Sequence, residues 1–293
     1  MTEIVQLPVE TWGWPCSEQD QEAAITALES GNVLLLPRLD FPLRDNERDF
    51  YFLSTGAELK GKNISLAPGD DKVRGSSADV AELGVLRGMM VRFSNMSQAL
   101  VQHLLPSYMA TLEKGRTSFR PLEIAGRPSS WRQDDSRLHV DSFPSSPTRG
   151  KRILRLFSNV NPVGQGRTWR LGEPFEQVAR RYQSSLQGQP WGSSQVLEML
   201  GITKGQRSAY DHYMLQLHDR MKADSAYQAS AKQQTVVFEP GSSWLVYTDQ
   251  VSHAAMGGRL AFEQTFYLPV TGMREPAKSP LRVLERLMGR ELV

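Results

Sequence analysis

The stretch Arg137-Leu138-His139-Val140-Asp141-Ser142-Phe143 places an imidazole and a carboxylate two residues apart. On an extended strand, residues i and i+2 project to the same face, so His139 and Asp141 can converge on one point. A third donor, His253 in Val251-Ser252-His253, would complete two histidines and one carboxylate on one face of an ion. The opposite face stays open, the arrangement that lets a non-haem Fe(II) centre take a co-substrate and dioxygen. H-x-D alone arises by chance in many chains. Arg259 adds to it, because a carboxylate bound beside a metal needs a fixed bidentate cation and arginine supplies one.

Several elements must position these residues. Ser17 to Ser30 reads as a helix, with Ser17 as N-cap and Ala23, Ala24, Ala27 and Leu28 as its apolar stripe, followed by a short buried strand at Val33–Pro37. Leu59 to Ser77 reads as a loop. From Asp79 to about Leu112, apolar residues recur at helical spacing and predict two helices broken near Pro106. Strands are expected at Phe119–Ile124, the H-x-D segment, Arg152–Val160, Arg167–Leu171, Gln234–Pro240, Ser243–Thr248 and Arg259–Pro269, with His253 ending a strand. Short strands between Gly/Pro turns suggest a barrel or sandwich. Residues 174–232 carry helical periodicity and read as an insertion capping one side. His212 and His218 fall there, about 240° apart round a helix, and read as structural or surface residues, as does His103.

Composition narrows the function classes. A chain of 293 residues with 40% hydrophobic content is long enough for one large core, so a single domain over 1–293 is expected. One cysteine, Cys16, excludes a disulfide within the chain and argues against thiolate metal clusters. The N-terminus lacks a basic and apolar leader pattern, and no run approaches a membrane span, so a cytoplasmic protein is expected. A net charge of +2 is too balanced to argue for nucleic acid.

The order H-x-D, long interval, His, Arg resembles the Fe(II)/2-oxoglutarate-dependent oxygenases. The wording resembles more narrowly the Kdo hydroxylases: Arg137 to Pro144, Arg152-Ile153-Leu154-Arg155, Asn159-Val160-Asn161-Pro162, Arg167-Thr168-Trp169, Phe238 to Trp244 and Ser279 to Leu287. The resemblance implies a mainly β fold with helical additions, a double-stranded β-helix (jelly roll, cupin-like). Its core strands would span about 119–171 and 234–269, with N-terminal helices, the 174–232 insertion and a C-terminal helix over 280–293. It implies Fe(II) on His139, Asp141 and His253, with no catalytic side chain beyond these ligands. It also implies 2-oxoglutarate and O2 as co-substrates, ascorbate as support, and Arg259, helped by Thr168, on the distal carboxylate of 2-oxoglutarate. The implied reaction hydroxylates carbon 3 of Kdo, the acidic eight-carbon sugar on lipid A, giving Ko, succinate and CO2 at the inner face of a Gram-negative inner membrane.

For the lipid-linked sugar acid, Arg137, Arg152, Arg155 and Trp169 are the candidate contacts, drawn from a basic group that also includes Arg132, Arg149, Lys151, Arg167 and Arg170. Core packing competes for Trp131 and Trp169, and a solvated barrel exterior for each arginine. The tail from Pro280 is an amphipathic basic helix that could lie on an anionic membrane, on the barrel or on a second subunit, with packing favoured. Two alternatives remain: a non-catalytic cupin-type barrel binding a metal or sugar acid, and an oxygenase acting on nucleic acid or a small molecule.

Overall fold

The computed structural model describes residues 1–13, 15–48, 63–76, 80–190 and 192–293. The predicted loop from Leu59 and the predicted helix start at Asp79 therefore lie partly outside the described residues.

Two sheets carry the site. The larger has seven strands in the order β1 (Ile4–Gln6), β2 (Val33–Leu36), β8 (Ser243–Tyr247), β5 (Arg152–Asn159), β10 (Ala261–Leu268), β4 (Glu113–Arg120), β3 (Ile64–Leu66). The smaller has three, β7 (Gln234–Phe238), β6 (Arg167–Leu171) and β9 (His253–Gly257). This sheet-rich, jelly-roll architecture with helical additions is the predicted class. Between the sheets, Phe157, Trp169, Phe238 and Trp244 stack with Val33, Leu171 and Val246 in one apolar cluster. On the outer face of the larger sheet lie α1 (Glu18–Glu29) and α2 (Val80–Leu104), which pack on β2, β4, β8 and β10.

Local chemistry explains the helix ends. Ser17 caps α1 by accepting from the Asp20 N–H at 3.1 Å. α2 is one helix of 25 residues rather than part of a broken pair. Pro106 opens a separate 3-10 turn, Pro106–Tyr108, because proline suits a first helical position where its missing N–H costs nothing. β4 then starts at Glu113, earlier than periodicity suggested, and β3 falls inside the stretch predicted as loop.

Between β6 and β7 run α3 (Phe175–Tyr182), α4 (Ser193–Met199), α5 (Ala209–Ala223) and α6 (Ser225–Ser230). α7 (Pro280–Met288) closes the chain, with Ser279 as N-cap and Gly289 in the left-handed conformation at its end. Leu281, Val283 and Leu284 of α7 are buried. The tail is tied to the helical block by Gln183 donating to Leu287 O and by the Tyr210 N–H donating to Leu292 O. Its apolar face therefore packs on protein. Among the described residues no helix is long and apolar enough to cross a membrane.

Candidate metal centre

His139 lies on an isolated bridge to His253, with reciprocal backbone hydrogen bonds of 3.0 and 2.9 Å. The segment thus adds a short rung beside β9, and His253 opens β9 rather than ending a strand. Leu138 and Val140 point the opposite way and are fully buried, as strand alternation requires. The free edge of this rung is closed by Gln228 of α6, whose amide accepts from Leu138 N at 2.8 Å and donates to Leu138 O at 3.0 Å. Asp141 N–H donates to Thr248 O at 2.8 Å. The helical block thereby fixes the strand that carries H-x-D.

The nitrogen and oxygen donors of His139, Asp141 and His253 all lie within 4.8 Å of one another. His139 Nε2 is 3.7 Å from Asp141 Oδ1. Each imidazole places Nδ1 on a backbone carbonyl, His139 on Arg137 O at 2.7 Å and His253 on Val251 O at 2.8 Å. A carbonyl only accepts, so both Nδ1 atoms carry the proton, and each Nε2 keeps its lone pair for the site. Burial lowers the pKa of both histidines, and for His139 the neighbouring His253 and Lys222 add to it. For Asp141, burial pushes upward, but Arg155 and the two imidazoles outweigh it and hold the carboxyl well below the usual range. Two neutral imidazoles and one carboxylate are the protonation states a metal needs.

Around the donors lies a small polar cavity between the sheets, lined by Arg120 from β4, Arg155 and Phe157 from β5, Arg167 and Trp169 from β6, and His253 and Ala255 from β9. Charges run in a chain through its wall. Arg155 bridges Asp141 Oδ2 at 3.0 Å and Glu263 Oε1 at 3.2 Å, and Arg120 Nε donates to Glu263 Oε2 at 2.7 Å. Asp135 lines the same wall, so three carboxylates, Asp141, Glu263 and Asp135, lie among three guanidiniums, Arg155, Arg120 and Arg167. Arg167, only 3% exposed, shares this wall with Asp135: its Nη1 reaches Gly258 O at 3.3 Å, and its Nε has no hydrogen-bond partner among the described residues. Burial and Arg120 outweigh the attraction of Glu263, Asp135 and Glu123, and bring its pKa down to about 9. At neutral pH it remains a charged, under-partnered guanidinium facing the cavity. A buried guanidinium with an open Nε beside three metal-type donors is an arrangement that can take an anion next to a metal ion.

A family model described as 3-deoxy-D-manno-oct-2-ulosonic acid (Kdo) hydroxylase matches residues 11–291. The crystal structure of the Kdo hydroxylase KdoO, a non-haem Fe(II) α-ketoglutarate-dependent dioxygenase, in complex with α-ketoglutarate and Fe(III), superposes with a TM-score of 0.95. It is 44% identical over 100% of this chain and 98% of that one. The KdoO complex with cobalt(II) gives 0.95 and 45%, over 99% and 97%. Among curated proteins no sequence matches.

The chain belongs to the Kdo hydroxylase family.

Several residues expected at the site stand elsewhere in the fold. Arg259 is exposed and does not line the cavity. Gly258 and Leu260 both take positive φ, 98° and 59°, in the turn before β10; Leu260 is buried and the residue between them is thrown outward. Gly258 is required there, since a Cβ would stand 2.9 Å from Arg167 Cα and 2.9 Å from Gly166 O. Thr168 points away from the cavity because its strand neighbours Arg167 and Trp169 point into it. Arg152 is fully buried elsewhere, with Nε on Asp249 at 2.7 Å, Nη2 on Gln250 at 2.6 Å and its guanidinium 3.9 Å above the Tyr247 ring. Its guanidinium is engaged in the core and does not line the cavity. Arg137 holds Asp134 and the carbonyl of Lys222 and does not line the cavity either. Arg155 and Trp169 do line it, Arg155 gripping Asp141 and Trp169 stacked on His253 at 5.2 Å.

Sequence reasoning missed that Arg120 and Asp135 line the cavity and that Glu263 pairs with its arginines. It also set His218 aside, yet that ring packs edge-on against His139 with centroids 5.4 Å apart, and its Nδ1 lies 3.0 Å from Asp219 Oδ1. α5 therefore reaches the metal centre. The period of the chain held no signal for this contact.

Proposed function

We propose that this chain is an Fe(II)/2-oxoglutarate-dependent hydroxylase acting on carbon 3 of the Kdo sugar carried by lipid A, with Ko, succinate and CO2 as products. Membership of the Kdo hydroxylase family supports the reaction class. The observation that carries the reading at residue level is the pairing of one facial donor set with one under-partnered buried arginine in the same cavity.

His139, Asp141 and His253 would hold Fe(II) through two Nε2 atoms and one carboxylate oxygen. Fe(II) bound there, with 2-oxoglutarate and dioxygen, supplies the oxidising equivalents that replace C–H by C–OH. Arg155 fixes which oxygen of Asp141 is free, by engaging Oδ2 and leaving Oδ1 toward His139. Arg167 takes the distal carboxylate of 2-oxoglutarate in place of Arg259, and Arg120 stands beside it to add positive potential. Phe157, Trp169 and Ala255 wall the cavity and exclude water, which strengthens each charge interaction inside. Ascorbate would serve only to keep the iron reduced. The acceptor sugar approaches from outside, past His218 and the 142–146 loop; its lipid places the reaction at a bilayer, which we assign to the cytoplasmic face.

The test is succinate release from 2-oxoglutarate under air with Fe(II), with and without Kdo-bearing lipid A precursor. Release that rises only with the acceptor supports the reading. A metal-loaded protein that the acceptor leaves unstimulated would count against this substrate.

A further inference from the structure

Large apolar side chains that stay exposed in the described residues are scattered singly, as at Met1, Val91, Val163, Val237 and Val293, with one exception. Val196, Met199, Leu200 and Ile202 are 48%, 79%, 62% and 52% exposed, and all four fall in α4 and the loop that follows it. Residues 196, 199 and 200 share one helical face, since i, i+3 and i+4 stack on one side. Nothing in the fold requires these side chains to be apolar. Gly201 takes a positive φ of 67° just after the helix, and its N–H donates to Glu198 O at 2.9 Å, so the loop turns back and presents Ile202 beside the helix end.

We propose that this face docks the enzyme onto an anionic lipid bilayer. Two observations choose that occupant. The first is charge. Lys204 is exposed and the half-buried Arg207 follows within the same loop, against a single exposed acid, Glu198, so the segment carries a net charge of +1. Apolar residues rimmed by Lys and Arg suit the interface of a bilayer with anionic headgroups. The second is continuity with the site. Lys204 N–H donates to Ser145 O at 3.0 Å, and Arg207 Nη2 donates to Pro144 O at 2.7 Å. Ser145 is four residues from Asp141, at most about 14 Å of extended chain. A bilayer held at α4 would thus lie against the loop that directly follows the H-x-D segment. The amphipathic tail does not compete for this role, because the apolar face of α7 is packed on the protein. The docking assignment follows from exposure and charge; its use for catalysis rests on the substrate reading given above.

Vesicle co-sedimentation tests it without any substrate. Full-length protein is mixed with vesicles of phosphatidylethanolamine and phosphatidylglycerol, and with phosphatidylcholine vesicles alone. The wild type is expected to sediment with the anionic vesicles, and M199D/L200D/I202D to bind them at least about tenfold more weakly. These positions are exposed, so the triple variant should keep the wild-type circular dichroism spectrum and its turnover of detergent-dispersed acceptor. A conservative control, M199L/I202L, should bind as the wild type does. Turnover of acceptor embedded in the vesicles should fall with binding. Equal binding by the triple variant, or no sedimentation of the wild type, overturns the proposal. So does a wild-type dimer that the triple variant splits while neither binds vesicles, which would make the face a contact between copies of this chain. If vesicle binding behaves as expected but no Kdo acceptor is turned over in detergent, the substrate reading fails and the docking surface stands.

Discussion

Replacing Arg167 by Met separates the anion site from the fold. The side chain is 3% exposed, its Nε has no hydrogen-bond partner among the described residues, and burial with Arg120 already disfavours its charged form in the absence of an anion. Removing one partner of a buried, hydrogen-bonded charge pair weakens binding by about 2–5 kcal/mol, so the dissociation constant for 2-oxoglutarate should rise at least about thirtyfold, and about a hundredfold at a loss of about 2.7 kcal/mol, the case worked here. The assay is thermal unfolding under nitrogen with Fe(II), where no turnover occurs. At 2-oxoglutarate about 100 times the wild-type dissociation constant, the ligand stabilises wild type by about 2.7 kcal/mol and the variant by about 0.4 kcal/mol. At about 2–4 °C per kcal/mol this becomes a rise of roughly 5–10 °C against roughly 1 °C. Without ligand, the variant should still unfold in one cooperative transition, because Met keeps the buried length of the side chain, and each ligand shift is read against that variant's own ligand-free melting temperature. R259A should keep the full ligand shift, since that residue is exposed. A ligand shift retained in R167M, or lost in R259A, would refute the assignment.

Other substitutions test the remaining parts of the account. H139A or D141A should abolish succinate release and iron binding while leaving a folded protein by circular dichroism; turnover in either would mean the donors are misassigned. R152M leaves Asp249 buried without its partner and should cost about 3–5 kcal/mol in urea unfolding while the 2-oxoglutarate shift persists. G258A forces a Cβ against Arg167 Cα and should raise the KM for 2-oxoglutarate well before it unfolds the chain. Metal-free protein should lose stability on acidification. The folded pKa values of His139 and His253 lie below the ordinary value of about 6.5, so as pH falls through that value the unfolded chain takes up protons that the folded one refuses. The slope from the pair reaches at most about 2.7 kcal/mol per pH unit, and H139Q/H253Q should flatten it.

How much of this was legible in the sequence depends on whether a signal was local. His139 and Asp141 share a face because two residues separate them on extended backbone, and that spacing is visible in the chain. The outward direction of Arg259 is set by two left-handed residues in one turn, which residue spacing does not reveal. Arg152 and Arg155 could not be sorted from each other, since every residue of β5 is buried and the strand has no polar face to betray its register. The Arg120–Glu263–Arg155 chain joins three strands whose neighbours follow from topology: β4, β10 and β5 lie side by side although far apart in sequence. The same holds for Gln228, which closes the edge of the H-x-D rung from a helix some 90 positions away. The helix before Pro106 runs unbroken because proline stands beyond its end.

The central claim is most directly tested by supplying labelled dioxygen. Protein is incubated with Fe(II), 2-oxoglutarate and Kdo-bearing lipid A precursor under 18O2, and the acceptor is analysed by fragment mass spectrometry. The account predicts one labelled oxygen on the Kdo sugar at carbon 3, one in succinate, and neither in D141A. Labelled succinate with an unlabelled sugar would contradict it and point to another acceptor.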